Sequence, residues 1–271
     1  MTLETSQATG SLQLHEVYAV KYAQNNAGDR GHNFHGLAGD PHDENVQMDY
    51  FVWLIRSNLG DIVVDVGFTA PVAARRARGH LREPSDALRL LDVDCESVKQ
   101  VVLTHLHYDH SGDLSGFPNA RFYLQQEELA FWTGKYVSRP EFRKAIEQSD
   151  IIDLVNLNYE GRVELLLGDQ AIADGVWLYK LGGHTPGLQV VRIRTARGDV
   201  VLASDAAHFY ENLEGDKPYA VFSDLPDTYR AFDRVNQLAS SSALIVAGHD
   251  PRVFERFEAV PGLEGIAVRV A

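Results

Sequence analysis

The chain has 271 residues, 45% of them hydrophobic, enough for one large α/β domain with a sizeable core. Its formal net charge of −13 lacks the basic footprint of a nucleic-acid surface, and no run approaches the roughly 18 apolar residues of a membrane span. A single cysteine, Cys95, leaves no internal disulfide, and the polar start Met1 to Gln7 reads as no secretory signal, so a cytoplasmic protein is expected.

In chain order, residues 1–10 are polar and expected to fray. Leu12 to Val20 alternates apolar and polar and reads as a strand. Residues 23–47 are rich in Asn, Gly, Asp and His with no periodicity, and a loop this long is expected near a site. Within it His32, Phe34, His35 and His42 offer an aromatic, imidazole-rich wall; a solvated loop explains them equally. Met48–Ile55 and Ile62–Val66 read as a hairpin joined by Ser57-Asn58-Leu59-Gly60. Segments 70–79 and 84–91 look helical, and their apolar faces leave room for a homodimer. The basic cluster Arg75-Arg76-Ala77-Arg78-Gly79-His80 reads as a solvated helix face, with binding of an anionic substrate the lesser alternative.

Lys99–Thr104 and Arg121–Leu124 read as strands, and Gln125–Thr133 as a helix. Phe131 and Trp132 on that helix, with Tyr136 beyond, either line a pocket or pack the core. Arg139–Gln148 is amphipathic. Strands recur at 162–166, 176–180, 188–194 and 199–204, followed by a helix over Pro226–Ser240 and a last core strand at 243–247. A β-rich half followed by helices, twice over, predicts an αββα sandwich with two sheets face to face and helices outside.

The chemistry sits at strand ends. Val101-Val102-Leu103 runs into Thr104-His105-Leu106-His107-Tyr108-Asp109-His110-Ser111-Gly112, three imidazoles and one carboxylate in six residues. Residues i and i+2 of an extended segment share a face, so His105 and His107 point one way. Asp109 and His110 diverge if the chain turns, and can reach a second metal. Imidazole and carboxylate donors suit zinc, manganese, iron or cobalt. More donors follow at other strand ends: His184 in Gly182-Gly183-His184-Thr185-Pro186-Gly187, Asp205 after Val200 to Ser204, and His249 after Gly248. Each alone is compatible with an ordinary turn. Together they supply five His and two Asp, enough for two metals with positions left for water and substrate.

These motifs resemble the metallo-β-lactamase superfamily from about residue 45 to residue 250, and within it most resemble the N-acyl homoserine lactonase group. The segments Ser204-Asp205-Ala206, Pro218-Tyr219-Ala220-Val221-Phe222 and Gly248-His249-Asp250 add to the likeness. The resemblance implies one metal on His105, His107 and His184, another on Asp109, His110 and His249, and Asp205 bridging. It implies that Asp65 of Asp65-Val66-Gly67 supports the ligands from beneath. It implies two divalent ions, zinc first, that share a hydroxide, with Asp109 carrying the proton to the departing alkoxide.

Lactonases of this group place a Tyr three residues after the bridging Asp, against the substrate carbonyl. This chain has His208 there, so His208 or Tyr210 is expected to take the polar role. The activity implied is opening of a lactone, an N-acyl homoserine lactone first. Another cyclic ester or amide, a thioester as in the glyoxalase II branch, or a phosphotriester would use the same centre. A di-iron oxygen-reducing role would put Glu where this chain has His107. Partners are expected to be small molecules, without nucleic acid or membrane.

Overall fold

In the computed structural model, residues 13–28, 30–36, 46–58 and 60–271 are described, apart from the side chain of His32. The strands run in chain order as β1 (Glu16–Asn25), β2 (Met48–Arg56), β3 (Ile62–Val64), β4 (Gly79–His80), β5 (Gln100–Val102), β6 (Arg121–Gln125) and β7 (Val163–Leu166). They continue as β8 (Gln170–Ala173), β9 (Val176–Lys180), β10 (Gln189–Thr195), β11 (Gly198–Ser204), β12 (Ile245–Ala247), β13 (Glu258–Ala259) and β14 (Ala267–Arg269). One sheet has the order β13-β14-β1-β2-β3-β5-β6-β7, with β4 paired to β1; the other has the order β12-β11-β10-β9-β8. Both mix parallel and antiparallel pairs.

The period of two along β2 explains the layers. Phe51, Trp53 and Ile55 point between the sheets, where they meet Leu178, Val191, Ile193, Val200, Leu202 and Val246. Tyr50, Val52 and Leu54 point outward, under the helices 70–76, 84–89, 126–132 and 148–159, which supply Val72, Leu88, Trp132 and Leu154. A strand buried on both faces reads as an unbroken apolar run, as β2 does. Behind the second sheet, Ala231, Val235 and Leu238 of the helix Leu225–Leu238 cover Val190, Val201 and Ala203. The expected αββα sandwich is the architecture found.

Four sequence expectations need correcting. The first strand begins at Glu16 and reaches Asn25, into the segment taken as loop, because Ala23 to Asn25 pair with Tyr50 to Met48 past a register shift. The helix Gln148–Tyr159 went unread because its apolar residues lie on both faces: Ile151 and Leu154 are buried while Ile152 is exposed. The short strand β8 was also unread; three of its four residues pair against β9 at the sheet edge. The strand at 245–247 is not the last in the core. β14 pairs antiparallel with β1, and Ala267, Val268 and Val270 are fully buried. The frayed 1–10 segment and His42 fall outside the described residues.

Candidate metal centre

Strand directions bring the donors together. β5 runs parallel to β3, and β12 parallel to β11, while β10 is antiparallel to both β9 and β11. The C-terminal ends of β9, β11 and β12 therefore open on one edge of their sheet. The loop after β5 meets them there. Gly248 is needed at this edge: a Cβ would lie 2.6 Å from the Ser204 carbonyl oxygen and 3.1 Å from Asp205 Oδ1. Gly183, at φ +86°, lets the His184 loop pass the backbone of Thr228, which a Cβ would approach to 2.7 Å.

Asp205 is the hub. Its carboxylate oxygens lie 2.9 Å from His249 Nε2, 3.0 Å from His208 Nε2, 3.1 Å from His184 Nε2, 3.2 Å from His110 Nε2 and 3.5 Å from His105 Nε2. His107 Nδ1 lies 2.8 Å from His184 Nε2. Asp109 stands slightly farther off, with oxygens 3.8 Å from His249 Nε2 and 3.9 Å from His110 Nε2. Three overlapping sets have ligand atoms within 4.8 Å of one another: His105, His107, His184 and Asp205; Asp109, His110 and His249; and Asp205, His208 and His249.

Hydrogen bonds on the far side of each ring fix which nitrogen faces inward. Asp65 accepts from the Thr104 backbone N–H at 2.7 Å, the Thr104 hydroxyl at 2.8 Å and His110 Nδ1–H at 2.7 Å. Since the Thr104 proton goes to Asp65, its oxygen accepts from His105 Nδ1–H at 3.2 Å and from the Ser204 hydroxyl at 2.8 Å. His184 Nδ1–H donates to the Val221 carbonyl at 2.7 Å, and His249 Nδ1–H to the Asp49 carbonyl at 3.1 Å. Four imidazoles thus turn Nε2 to the centre, the arrangement that outer partners impose on metal-ligating histidines. Asp65 and Ser204 adopt φ of 57° and 44°, left-handed conformations costly for residues with a side chain, and both sit where their strands feed this network.

Electrostatics points the same way. Burial alone would raise the Asp205 carboxyl, but His208, His110, His249 and His105 around it hold it well below the carboxylate range. Burial, then the neighbouring imidazoles, holds His105 and His107 well below 6.5. Burial also acts to lower His110, yet Asp205, Asp65 and Asp109 outweigh it and hold a proton there. Carboxylates that draw a proton onto a buried imidazole will accept a cation in its place. The Nε2 atoms of His105 and His110 are buried without a hydrogen-bond partner, so divalent ions fit the donors present.

A family model described as the metallo-beta-lactamase superfamily matches residues 48–250. The chain belongs to the metallo-β-lactamase superfamily. An N-acyl homoserine lactonase of Azorhizobium caulinodans is 27% identical over 85% of this chain and 92% of its own length. The structure of an N-acyl homoserine lactone hydrolase, with the product N-hexanoyl-L-homoserine at its catalytic metal centre, matches with TM-score 0.75 at 18% identity, covering 92% of this chain and 99% of that one. A dizinc quorum-quenching lactonase, AidC, matches with TM-score 0.68 at 17% identity, covering 89% and 90%.

The donors share the pocket around this centre with side chains from other elements. A cavity of about 360 Å³ opens over it, lined by Tyr50, Tyr108, Asp109, Asp205, His208 and Tyr219 among others. A second arm of about 230 Å³ shares His107 and His184 and is lined by Phe131, Trp132, Phe142, Pro186 and Phe222. Trp132 packs edge-on to His107 at 5.5 Å. Phe131 and Trp132 thus stand where a pocket wall was expected, with Trp132 also in the core.

The other pocket expectations fare differently. Tyr210 is corrected: it points into the core between the sheets, with the Arg256 guanidinium 3.5 Å above its ring, and does not line the cavity. Its phenol has no path to the centre, because the helical turn Tyr210–Glu214 begins there and Asp250 caps its backbone N–H at 2.9 Å. Phe34 is buried behind the wall, against Phe209 and Tyr219, rather than on it. His35 is exposed and packs edge-on to Phe222, outside both arms. His32 lies in the turn Arg30–Asn33.

Sequence reasoning missed two residues. Tyr219 stacks on His208 and lines the cavity. Glu128, fully buried, accepts from Leu106 N–H at 3.0 Å, Gly187 N–H at 2.9 Å and Trp132 Nε1–H at 2.6 Å, tying the two histidine loops together. A carboxylate beside Leu129 and Trp132 on the apolar face of a short helix was the readable signal for it.

Proposed function

We propose that the chain is a dinuclear metallohydrolase that opens lactones, with N-acyl homoserine lactones as the substrates its relatives point to. The observation that carries this reading is the Asp205 carboxylate, within 3.5 Å of five imidazole nitrogens at the floor of an open cavity. His105, His107 and His184 would hold one ion, and Asp109, His110 and His249 the other, with Asp205 between them. Zinc suits this imidazole and carboxylate set; manganese, iron and cobalt suit it nearly as well. When bound, such ions supply a hydroxide at neutral pH and polarise a carbonyl.

The residues of the chain do the rest. The lactone carbonyl carbon gains the water oxygen, the ring ester C–O bond breaks, and the ring oxygen leaves as an alkoxide that needs a proton. Asp109 lines the cavity and is held in place by the Tyr22 hydroxyl, which donates to its backbone carbonyl at 3.1 Å; its carboxylate takes the proton from water and returns it to the alkoxide. Tyr219, a neutral phenol beside Asp205, donates to the developing oxyanion, with His208 as its platform. The apolar arm with Phe131, Trp132 and Phe142 receives an acyl chain and excludes water from it.

A second reading of His208 has its own support. Its Nε2 lies 3.0 Å from Asp205 and forms a ligand set with Asp205 and His249, so it is either a donor in catalysis or a further ligand. We further propose that residues 1–271 work as one domain in the cytoplasm, acting on small molecules without nucleic acid or membrane, alone or as a homodimer. The charge of −13 supports the first exclusion. Among the described residues no helix is long and apolar enough to cross a membrane.

The test is hydrolysis of a panel by metal-replete protein, with Asp109→Ala as control: short- and long-chain acyl-homoserine lactones, plain γ- and δ-lactones, a glutathione thioester and a cyclic imide. Lactone opening that the control loses is expected. Lactones left intact while another member turns over would replace the lactone by that bond.

A further inference from the structure

One wall of the cavity carries hydrogen-bond donors that have no acceptor among the described residues. Arg78 follows the αL residue Ala77 at the end of the helix Ala70–Arg76, and its backbone N–H bonds back to the Ala73 carbonyl at 2.9 Å. That turn sends its half-buried side chain toward the cavity, where Nε donates to the Tyr108 hydroxyl at 3.1 Å. The other cations near it are matched. Arg75 and Arg76 bond Glu147, at 2.8 and 2.7 Å, and Lys144 pairs with Glu141. Arg78 has no carboxylate within ion-pair distance among the described residues, and its two terminal nitrogens have no acceptor there.

Asn33 lines the same cavity. It is 4% exposed, and its Nδ2 is buried without a hydrogen-bond partner. Gly28 permits this placement, since a Cβ there would come within 3.1 Å of Nδ2. A buried amide donor left unbonded is unfavourable, and Arg78, which feels the Asp109 carboxylate but is in ion-pair contact with none among the described residues, keeps its terminal N–H groups for a further acceptor. An anionic oxygen acceptor in the cavity would serve both groups.

We propose that Arg78 and Asn33 form a carboxylate-binding subsite facing the metal centre, so that the enzyme opens lactones carrying a second, acidic group. This rests on the lactone-opening reading and, within it, favours lactones that carry an acid over the uncharged N-acyl homoserine lactones. A carboxylate there would offer one oxygen to the free edge of the guanidinium and the other to the Asn33 amide. The acyl arm shares His107 and His184 with this cavity but has neither Arg78 nor Asn33 in its lining. An uncharged lactone would leave the Arg78 charge unanswered, so the subsite discriminates by charge.

The experiment compares a γ-butyrolactone bearing a ring carboxylate with its methyl ester, on the zinc-loaded full chain. For the wild type, kcat/KM for the acid is expected to exceed that for the ester about tenfold, mainly through KM. Arg78→Met is expected to bring that ratio close to one, Arg78→Lys to restore part of it, and Asn33→Asp to reverse it by repelling the carboxylate. Each variant is read as its own acid-to-ester ratio, so partial loss of folded protein cancels. Equal turnover of acid and ester by the wild type, or an unchanged ratio in Arg78→Met, overturns the subsite and leaves lactone opening intact. Turnover of neither at full metal content overturns the subsite; the lactone reading falls with it only if acyl-homoserine lactones and plain lactones are left intact too.

Discussion

The ring of Tyr219 lies flat on the ring of His208, with centroids 3.5 Å apart and planes 11° from parallel. Burial, and then the Asp205 and Asp109 carboxylates, push the phenol well above its ordinary value, so it keeps its proton at neutral pH. Among the described residues its hydroxyl meets only the Met48 thioether, at 3.9 Å, a weak acceptor that a substrate oxygen displaces. Tyr219→Phe is therefore expected to lower kcat by about 10²-fold, the scale for one oxyanion donor, with metal content unchanged. Steady-state kinetics beside elemental analysis checks this. An unaltered kcat would mean that the phenol never reaches the reacting carbonyl.

His208 is expected to behave like Tyr219 in the metal readout. Burial pushes its imidazole down to about 3, so it is neutral near pH 7 and can either donate to Asp205 or bind an ion. His208→Ala is expected to lower kcat while two metals per chain remain bound. Loss of one equivalent in that variant would make His208 a ligand and leave the other three donors of the second set short of help.

The sequence made the donor set legible because each donor stands at the end of an apolar strand, and strand direction alone carries those ends to one edge. The layers were legible for the same reason: β2 and β11 alternate faces residue by residue. What lay beyond reach depended on contacts between distant segments. Tyr210 and Tyr219 both follow Asp205 closely, and only the turn at Phe209 decides that the first enters the core and the second the cavity. Arg78 looked like part of a solvated basic run, and only the left-handed Ala77 turns it away from Arg75 and Arg76. Helix 148–159 hid its face, and β14 is too short to announce itself without β1.

Asp65 accepts three hydrogen bonds and touches no other carboxylate, so its effect on the centre passes through His110 and Thr104. Asp65→Asn keeps the volume but brings an N–H₂ group against donors. The His110 ring would lose its fixed tautomer, and the Thr104 hydroxyl its acceptor. Metal affinity is expected to fall about 10–100-fold, as for other outer partners of ligand histidines. Competition with a chelator, read as metal bound per chain, measures it. Full retention at every chelator concentration would show that the backbone alone orients His110.

Removing the metals is expected to lower stability. The ions bind the folded donors and not the dispersed ones, so each stabilises by about 2.7 kcal/mol at free metal 100-fold above its Kd, about 5 kcal/mol for two. For a chain of this size that is a Tm shift of roughly 10–20 °C, reversed by adding zinc. Calorimetry of chelated and reloaded protein gives the number. Identical transitions would place the ions at a site that the fold does not need.

Asp150 gives a pH dependence away from the centre. Burial raises its carboxyl to about 7, the Glu147 and Asp153 carboxylates add to this, and the Ser149 hydroxyl and Arg75 oppose it. Its Oδ2 has no hydrogen-bond partner. Between the unfolded value near 4 and about 7 the folded chain holds a proton that the unfolded chain has released. Stability therefore falls as pH rises through that window and levels off above it. Asp150→Asn removes the ionisable group while keeping its shape. Its advantage over the wild type is expected to grow by roughly 1–2 kcal/mol between pH 5 and pH 8, below the full linkage value because solvent screens part of the carboxyl. Urea unfolding at both pH values decides this. A variant equally displaced from the wild type at pH 5 and pH 8 would mean that Asp150 ionises alike in the folded and unfolded chains.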